Sequence, residues 1–213
     1  MSLYNHRLPF RPLLGGVEIL NPRVNEVGTL GFIAQDSEAN NQLWLVSCYH
    51  VLVGGPTIVA IDREGVLQPS SEATPVAFVD ANRADASLDC AASRIDPTVA
   101  GSGSVLGLGL ISSPVSPRVG FRVIKSGAST GVTEGVIEEV NDDEVVIGHP
   151  QGFDLNYDLS LPGDSGSLWL RRDDLAPVAL HLSELSDARK RVKARCILPI
   201  LESLRFRLAP ILQ

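Results

Sequence analysis

Short runs of apolar and β-branched residues, separated by clusters of glycine, proline, asparagine and aspartate, fill most of the chain. This spacing is typical of many short strands in a barrel or a sandwich. Helical spacing is confined to residues 199–208, where Pro199 stands near the start of a predicted helix. The pattern therefore predicts an all-β protein with a C-terminal helix. The predicted strands cover residues 17–20, 28–34, 43–48, 57–61, 74–79, 88–95, 120–125, 131–138, 144–148, 167–171 and 177–182, with a turn at residues 36–41.

Residues 101–117 are rich in glycine, serine and proline, which favours a connection between two lobes. We therefore expect an N-terminal lobe over residues 1–105 and a C-terminal lobe over residues 106–213. A chain of 213 residues can bury a sizeable core without covalent cross-links.

The composition is that of a folded globular protein, with 44% hydrophobic and 20% charged residues. A net charge of −7 argues against nucleic-acid binding as the main task, because a phosphate-binding surface needs a basic excess. No signal-peptide pattern and no apolar run of about 18 residues is visible, so no membrane partner is expected. Three cysteines favour reduced thiols in a cytoplasmic protein over a disulfide framework.

One segment, Gly163-Asp164-Ser165-Gly166, has the pattern of a nucleophile on a tight turn. The first glycine permits a backbone conformation that presents a peptide N–H, and the second lets a substrate carbonyl approach closely. The segment resembles the nucleophile motif of the chymotrypsin-like (trypsin-like) serine peptidases. The resemblance therefore implies a catalytic histidine and a catalytic aspartate upstream of Ser165.

The chain has four histidines, and His50 follows an apolar run directly, as in the histidine motif of the same family. An imidazole with a pKa of about 6.5 can take the proton of a serine hydroxyl and return it to the leaving group. By itself such a histidine is more often a structural residue, but together with Ser165 a catalytic role is favoured.

The third member is predicted to be Asp89, which heads an apolar run, with Asp85 as the competing turn residue. The chain order His50, Asp89, Ser165 is that of the chymotrypsin-like family and differs from the order in α/β-hydrolases and subtilisins. Residues 123–135 resemble the Lys-x-Gly-x-x-Thr-Gly-x-Thr-x-Gly segment of bacterial trypsin-like peptidases, and we expect an intracellular member of that type.

This resemblance implies two six-stranded β-barrels, with the first lobe carrying His50 and Asp89 and the second carrying Ser165. It also implies an oxyanion hole formed by the backbone N–H groups of Gly163 and Ser165. Asp164 is expected to support the turn through a buried pair or a hydrogen bond.

The substrate pocket is expected beside the strands that follow the serine. Glutamate-specific bacterial relatives look similar at His181, where a histidine contacts the acidic side chain. If residues 191–195 form a strand, Arg191, Lys193 and Arg195 share one face. A basic face beside His181 would suit an acidic residue before the scissile bond, with His181, Lys193 and Arg195 as substrate-binding residues. The alternative is a solvated hairpin.

The predicted function is a serine endopeptidase that acts on a protein or peptide substrate through an acyl-enzyme, with a separate activating or targeting protein as a second partner. A catalytically silent module that binds peptides or proteins on the same fold is the alternative, and an esterase is a third reading of the same site. No cofactor is expected, and no metal, because no Cys/His cluster has zinc spacing. Cys48 and Cys90 are interpreted as small buried hydrophobes rather than a disulfide.

Overall fold

The structure is a computed structural model that describes residues 4–36, 42–152 and 157–208. Strands dominate it, so the predicted all-β class is confirmed. Most of the turn predicted at residues 36–41 lies outside the described residues. No helix in the described ranges is long and apolar enough to cross a bilayer. The helices are α1 (Tyr49–Leu52) and α2 (Ile197–Ser203), and the strands are β1 (Leu13–Gly15), β2 (Glu18–Leu20), β3 (Val27–Thr29), β4 (Phe32–Asp36), β5 (Leu43–Ser47), β6 (Gly65–Val66), β7 (Ala77–Asp85), β8 (Cys90–Ile95), β9 (Gly101–Val105), β10 (Gly109–Leu110), β11 (Arg122–Gly127), β12 (Gly131–Asn141), β13 (Glu144–Gly148), β14 (Leu168–Arg171), β15 (Pro177–Glu184), β16 (Val192–Cys196) and β17 (Phe206–Leu208).

The second half of the chain forms the predicted barrel, closed in the order β11-β12-β13-β16-β15-β14. In β12 buried positions alternate with half-buried ones, as they do when one face of a strand points into a core. A core of buried apolar side chains fills this barrel, among them Ile137, Val145, Ile147, Trp169 and Val178.

In the first half a six-stranded sheet has the order β17-β4-β5-β8-β7-β6, and two smaller sheets, β1-β9-β10 and β2-β3, accompany it. The edge strand β17 comes from the C-terminal end of the chain and pairs with β4. The end of the chain therefore returns to the lobe that the sequence assigned to residues 1–105.

Three local predictions were wrong. Residues 57–61 form a loop rather than a strand, and Val59 is 79% exposed, because this apolar run has no sheet to pair with. Residues 101–117 are not a plain connection, since β9 and β10 lie within them. The C-terminal helix ends at Ser203, because Arg205 adopts a left-handed φ of 55° that turns the chain into β17.

The two halves share one buried apolar cluster. Leu168 and Leu180 of the barrel pack in the same cluster as Phe32 and Val46 of the six-stranded sheet. The seam between the halves is therefore fixed by the hydrophobic effect, and it is there that α1 faces the turn of residues 161–166.

Candidate active site

His50 lies in the single turn of α1, directly after β5. Its backbone N–H donates to Asp89 Oδ1 at 3.0 Å, and its Nδ1 lies 2.8 Å from Asp89 Oδ2. Because a carboxylate only accepts, Nδ1 carries the proton, which leaves Nε2 of the neutral ring as an acceptor. This is the protonation pattern that a general base requires.

Asp89 stands one residue before β8 and adopts a φ of 51°, a left-handed conformation that aspartate tolerates better than most residues. Its own carbonyl accepts the N–H of Tyr49 at 3.1 Å. The competitor Asp85 binds Ser87 and Ser203 instead. Burial alone would raise the pKa of Asp85, but these hydrogen bonds hold it below its usual value. The structure thus places Asp89, and not Asp85, against the histidine.

Ser165 is held by its backbone between the two halves. Its carbonyl accepts the N–H of Thr29 at 2.8 Å, and the next residue, Gly166, donates to His181 O at 2.9 Å. The Ser165 hydroxyl donates to Leu182 O at 3.0 Å, and in the described part of the chain no hydrogen bond joins it to His50. Ser165, His50 and Asp89 nevertheless line one cleft of roughly 560 Å³.

The backbone around the serine leaves two donors free. Gly163 has a φ of 102°, which favours glycine, and neither its N–H nor that of Ser165 donates to any described residue. Gly166 has a φ of 90°, and a Cβ there would overlap Ser47 Oγ and come to 2.5 Å from Thr29 O. The structure therefore gives the second glycine a packing role against the protein's own strands.

Asp164 forms a fully buried ion pair with Lys125, with 2.9 Å between Nζ and Oδ2. The same carboxylate accepts the hydroxyl of Thr130 at 2.6 Å and the backbone N–H groups of Ser129, Thr130 and Leu161 at 2.9, 3.1 and 3.2 Å. Burial acts to raise the pKa of Asp164, but the Lys125 ammonium and these donors hold it below its usual value. The segment of residues 123–135 thus holds the nucleophile turn through its contacts with Asp164. The motif in this segment did not by itself predict these contacts.

His181 is buried and accepts the indole N–H of Trp169 at Nδ1, at 3.3 Å. Its Nε2 therefore carries the proton of the neutral ring and donates to Ser160 Oγ at 2.7 Å. Burial, with Lys125 nearby, lowers the pKa of His181 to about 3, so the ring is neutral at physiological pH. Ser160 and Trp169 were not predicted as partners of His181, because each lies in a different segment and only the folded barrel brings the three residues together.

The predicted basic face is not assembled beside His181. Cross-strand pairing sets His181 opposite Ala194 and Leu180 opposite Arg195, so His181 and Arg195 project to opposite faces of the sheet. Both still line the cleft. Lys193 does not line it and pairs with Glu144 at 2.9 Å.

Arg191 likewise has carboxylate partners, at Asp187 and Glu139. Arg195 has no carboxylate partner within the described ranges, and its buried Nε lacks an acceptor. Arg195 is therefore the member of the predicted basic face that remains available to an anion.

Cys48, His50 and Asp89 offer one ligand atom each, all within 4.8 Å of one another. The motifs paired His50 with Asp89 but left Cys48 out of the group, because Cys48 was interpreted as a small buried hydrophobe. Burial raises the pKa of Cys48 well above its usual value, so the sulfur is a thiol, and it donates to His181 O at 3.1 Å. A metal would need the thiolate, so these residues fit the His–Asp hydrogen bond better than a metal. All three cysteines are free and buried.

The comparisons with known proteins agree with this architecture. No protein-family model and no curated protein matches the sequence. Among solved structures, one match is a glutamic acid specific serine protease that utilizes a histidine triad in substrate binding. The TM-score is 0.69 and the identity 18%, and the match covers 92% of this chain and 100% of that chain. Thermobifida fusca protease A matches with a TM-score of 0.64 and 18% identity over 92% and 97% of the two chains. An alpha-lytic protease homologue, N4, gives 0.67 and 18% over 91% and 97%. At these identities the likeness shows the fold.

Proposed function

We propose that this chain, which has the fold of the chymotrypsin-like bacterial serine proteases, is a serine endopeptidase. The supporting observation is that three groups meet at one cleft. His50 is oriented by Asp89 at 2.8 Å, and Ser165 lies on the same cleft. Gly163 lines an adjoining pocket with His50 and Ser165, and the N–H groups of Gly163 and Ser165 donate to none of the described residues. A nucleophile, an oriented base and donors for an oxyanion are the parts that acyl transfer needs.

In the proposed mechanism Ser165 Oγ bonds to the substrate carbonyl carbon while its proton passes to His50 Nε2. The carbonyl oxygen becomes an oxyanion and accepts hydrogen bonds from the N–H groups of Gly163 and Ser165. His50 then protonates the leaving amine, which departs and leaves an ester on Ser165. Water, deprotonated by His50, releases the acid and restores the hydroxyl. Asp89 stabilises the imidazolium in both steps.

The hydroxyl of Ser165 must first leave Leu182 O, to which it donates at 3.0 Å. Leu182 belongs to β15 and lines the cleft, so the N–H of an extended peptide could take over this carbonyl and free the hydroxyl. The same observation supports a second candidate, a peptide-binding or partner-activated module in which the site without ligand is catalytically silent. An activating protein and a cytoplasmic location remain predictions from the sequence.

The proposed substrate preference is an acidic residue before the scissile bond. Trp169 donates to His181 and His181 donates to Ser160, so the Ser160 hydroxyl keeps its own proton for a substrate acceptor. Arg195 adds to the cleft a cation that pairs with no carboxylate of the described residues, although Glu184 also lines the cleft. A carboxylate of the substrate would accept the hydroxyl proton of Ser160 and would neutralise the charge of Arg195.

The function is tested by incubating a proteome with the wild type and with Ser165→Ala and reading new N-termini by mass spectrometry. We expect new termini with the wild type and their loss with Ser165→Ala, because removal of such a nucleophile costs about 10⁶-fold in kcat. Cleavage that survives in Ser165→Ala would contradict the proposal. A wild type that binds peptides without cleaving them would favour the silent module.

The preference is tested with matched peptides that carry glutamate, glutamine, lysine or phenylalanine before the scissile bond. We expect the highest kcat/KM for glutamate and a selective loss of that advantage over glutamine in Arg195→Gln. Lys193→Gln is the matched control, since Lys193 lies outside the cleft and is paired with Glu144. Faster cleavage after lysine or phenylalanine would refute the acidic preference.

A further inference from the structure

The peptide group between Pro162 and Gly163, in the nucleophile turn, contributes one acceptor, the Pro162 carbonyl, and one donor, the Gly163 N–H. Its carbonyl accepts the hydroxyl of Ser129 at 2.6 Å. The cis peptide bonds of the described chain lie elsewhere, so this bond is trans and its C=O and N–H point in opposite directions. With the carbonyl held at Ser129, the N–H of Gly163 is directed away from that residue.

Glycine itself does not fix this orientation. Rotating the peptide by about 180° would move the φ of Gly163 from 102° into the negative region, which glycine adopts equally well. The rotated peptide would turn the Pro162 carbonyl toward the position of the N–H donor and remove that donor. Some other contact must therefore favour the observed orientation.

Ser129 is itself held in place by the buried carboxylate of Asp164. The N–H of Ser129 donates to Asp164 Oδ1 at 2.9 Å, and a Cβ on Gly163 would come to 2.5 Å from Ser129 Oγ. On the other side of Gly163, its carbonyl accepts the hydroxyl of Thr29 at 2.7 Å, and Thr29 Oγ1 accepts the N–H of Ala128 at 3.0 Å. The turn between β11 and β12 thus binds the peptide before Gly163 directly, through Ser129, and supports the peptide after it indirectly, through Thr29.

We propose that Ser129 is a positioning residue for the oxyanion hole: its hydroxyl holds the Pro162 carbonyl and thereby keeps the Gly163 N–H available to the oxyanion. In the rotated peptide the hydroxyl would lose its acceptor and the carbonyl would lose its donor. This inference rests on the proposed function, because the Gly163 N–H matters only if a carbonyl is attacked.

The test compares Ser129→Ala with Ser129→Thr, which keeps the hydroxyl, and with Ser113→Ala, an exposed serine used as the control. For Ser129→Ala we expect kcat on a peptide substrate to fall about five- to tenfold with little change in KM, which corresponds to the loss of one net hydrogen bond. The affinity for a peptide aldehyde, whose adduct carries an oxyanion, should fall by the same factor. Ser129→Thr should keep both kcat and the aldehyde affinity near the wild-type values.

An unchanged kcat in Ser129→Ala, or a rise in KM alone, would overturn the role of Ser129 while leaving the peptidase intact. A fall in kcat that the aldehyde affinity does not follow would also overturn it. A wild type that neither cleaves peptides nor binds the aldehyde would overturn the proposed function and this inference together, so the two failures are distinguishable.

Discussion

Replacing Lys125 with methionine would leave the carboxylate of Asp164 buried without its counter-charge. Both side chains have no exposed surface, and removing one member of such a pair typically costs about 3–5 kcal/mol. Four other donors remain on Asp164, at 2.6, 2.9, 3.1 and 3.2 Å, which places the expected loss near the lower end, at about 3 kcal/mol. For a chain of this length that corresponds to a fall in Tm on the order of 10 °C.

The loss should depend on pH with a definite sign. In the wild type the pKa of Asp164 is depressed, so the stability that this group contributes is present above its unfolded pKa and is lost as the pH falls through its folded pKa. Without Lys125, burial dominates and the pKa of Asp164 rises. The carboxylate of the variant is therefore protonated at a higher pH than that of the wild type, and protonation removes the buried charge that destabilises the variant. The deficit of Lys125→Met should therefore be largest at neutral pH and shrink toward acidic pH.

Urea denaturation of the wild type and Lys125→Met at several pH values measures this deficit. Arg122→Met is the matched control, because Arg122 lies on the same strand and its ion pair with Glu134 is exposed, so we expect a loss of about 1 kcal/mol or less. A loss below about 1 kcal/mol in Lys125→Met, or a deficit that grows as the pH falls, would show that Lys125 does not stabilise the buried carboxylate of Asp164.

Three further predictions concern the site and its surroundings. Asp89→Asn should keep the fold and lower kcat by about 10⁴-fold, as in the general Ser-His-Asp template, whereas Asp85→Asn should stay within a few-fold of the wild type in the same peptide assay. Gly166→Ala should lower the Tm and the soluble yield, because its Cβ would overlap Ser47; an unchanged Tm would contradict this. The three buried thiols should resist Ellman's reagent at pH 7 until the protein is denatured, since burial raises their pKa values, to about 11 for Cys196. Rapid reaction of the native protein would count against that burial.

The all-β class could be predicted because short apolar runs between turn residues are a local signal, whereas the second barrel was predicted only from the resemblance of the motifs to a known family. The contact of His50 with Asp89 could be anticipated from motifs, each of which is read within a few residues of one strand or turn. The helix at residues 199–208 was misjudged at its end, because Arg205 and the pairing of β17 with β4 are set by the tertiary fold.

The surroundings of the site could not be predicted, because they depend on strand register and on rotamers. A basic face was expected from the spacing of residues 191–195, yet the pairing of β15 with β16 sends Arg195 and His181 to opposite faces. The hydrogen bond from Ser165 to Leu182 O is a choice of rotamer that no motif encodes. The hydroxyl of Ser129 donates to the carbonyl of Pro162, and these two residues lie in different loops of the barrel, so no local pattern predicts the contact.

Covalent labelling with a fluorophosphonate measures whether Ser165 is a nucleophile activated by His50. The wild type should gain the mass of one adduct, located on Ser165 by peptide mapping, and labelling should be lost in Ser165→Ala and strongly slowed in His50→Ala. Absence of an adduct on the wild type in the presence of a bound peptide, or an adduct that forms equally fast in His50→Ala, would show that His50 does not activate Ser165 as a nucleophile.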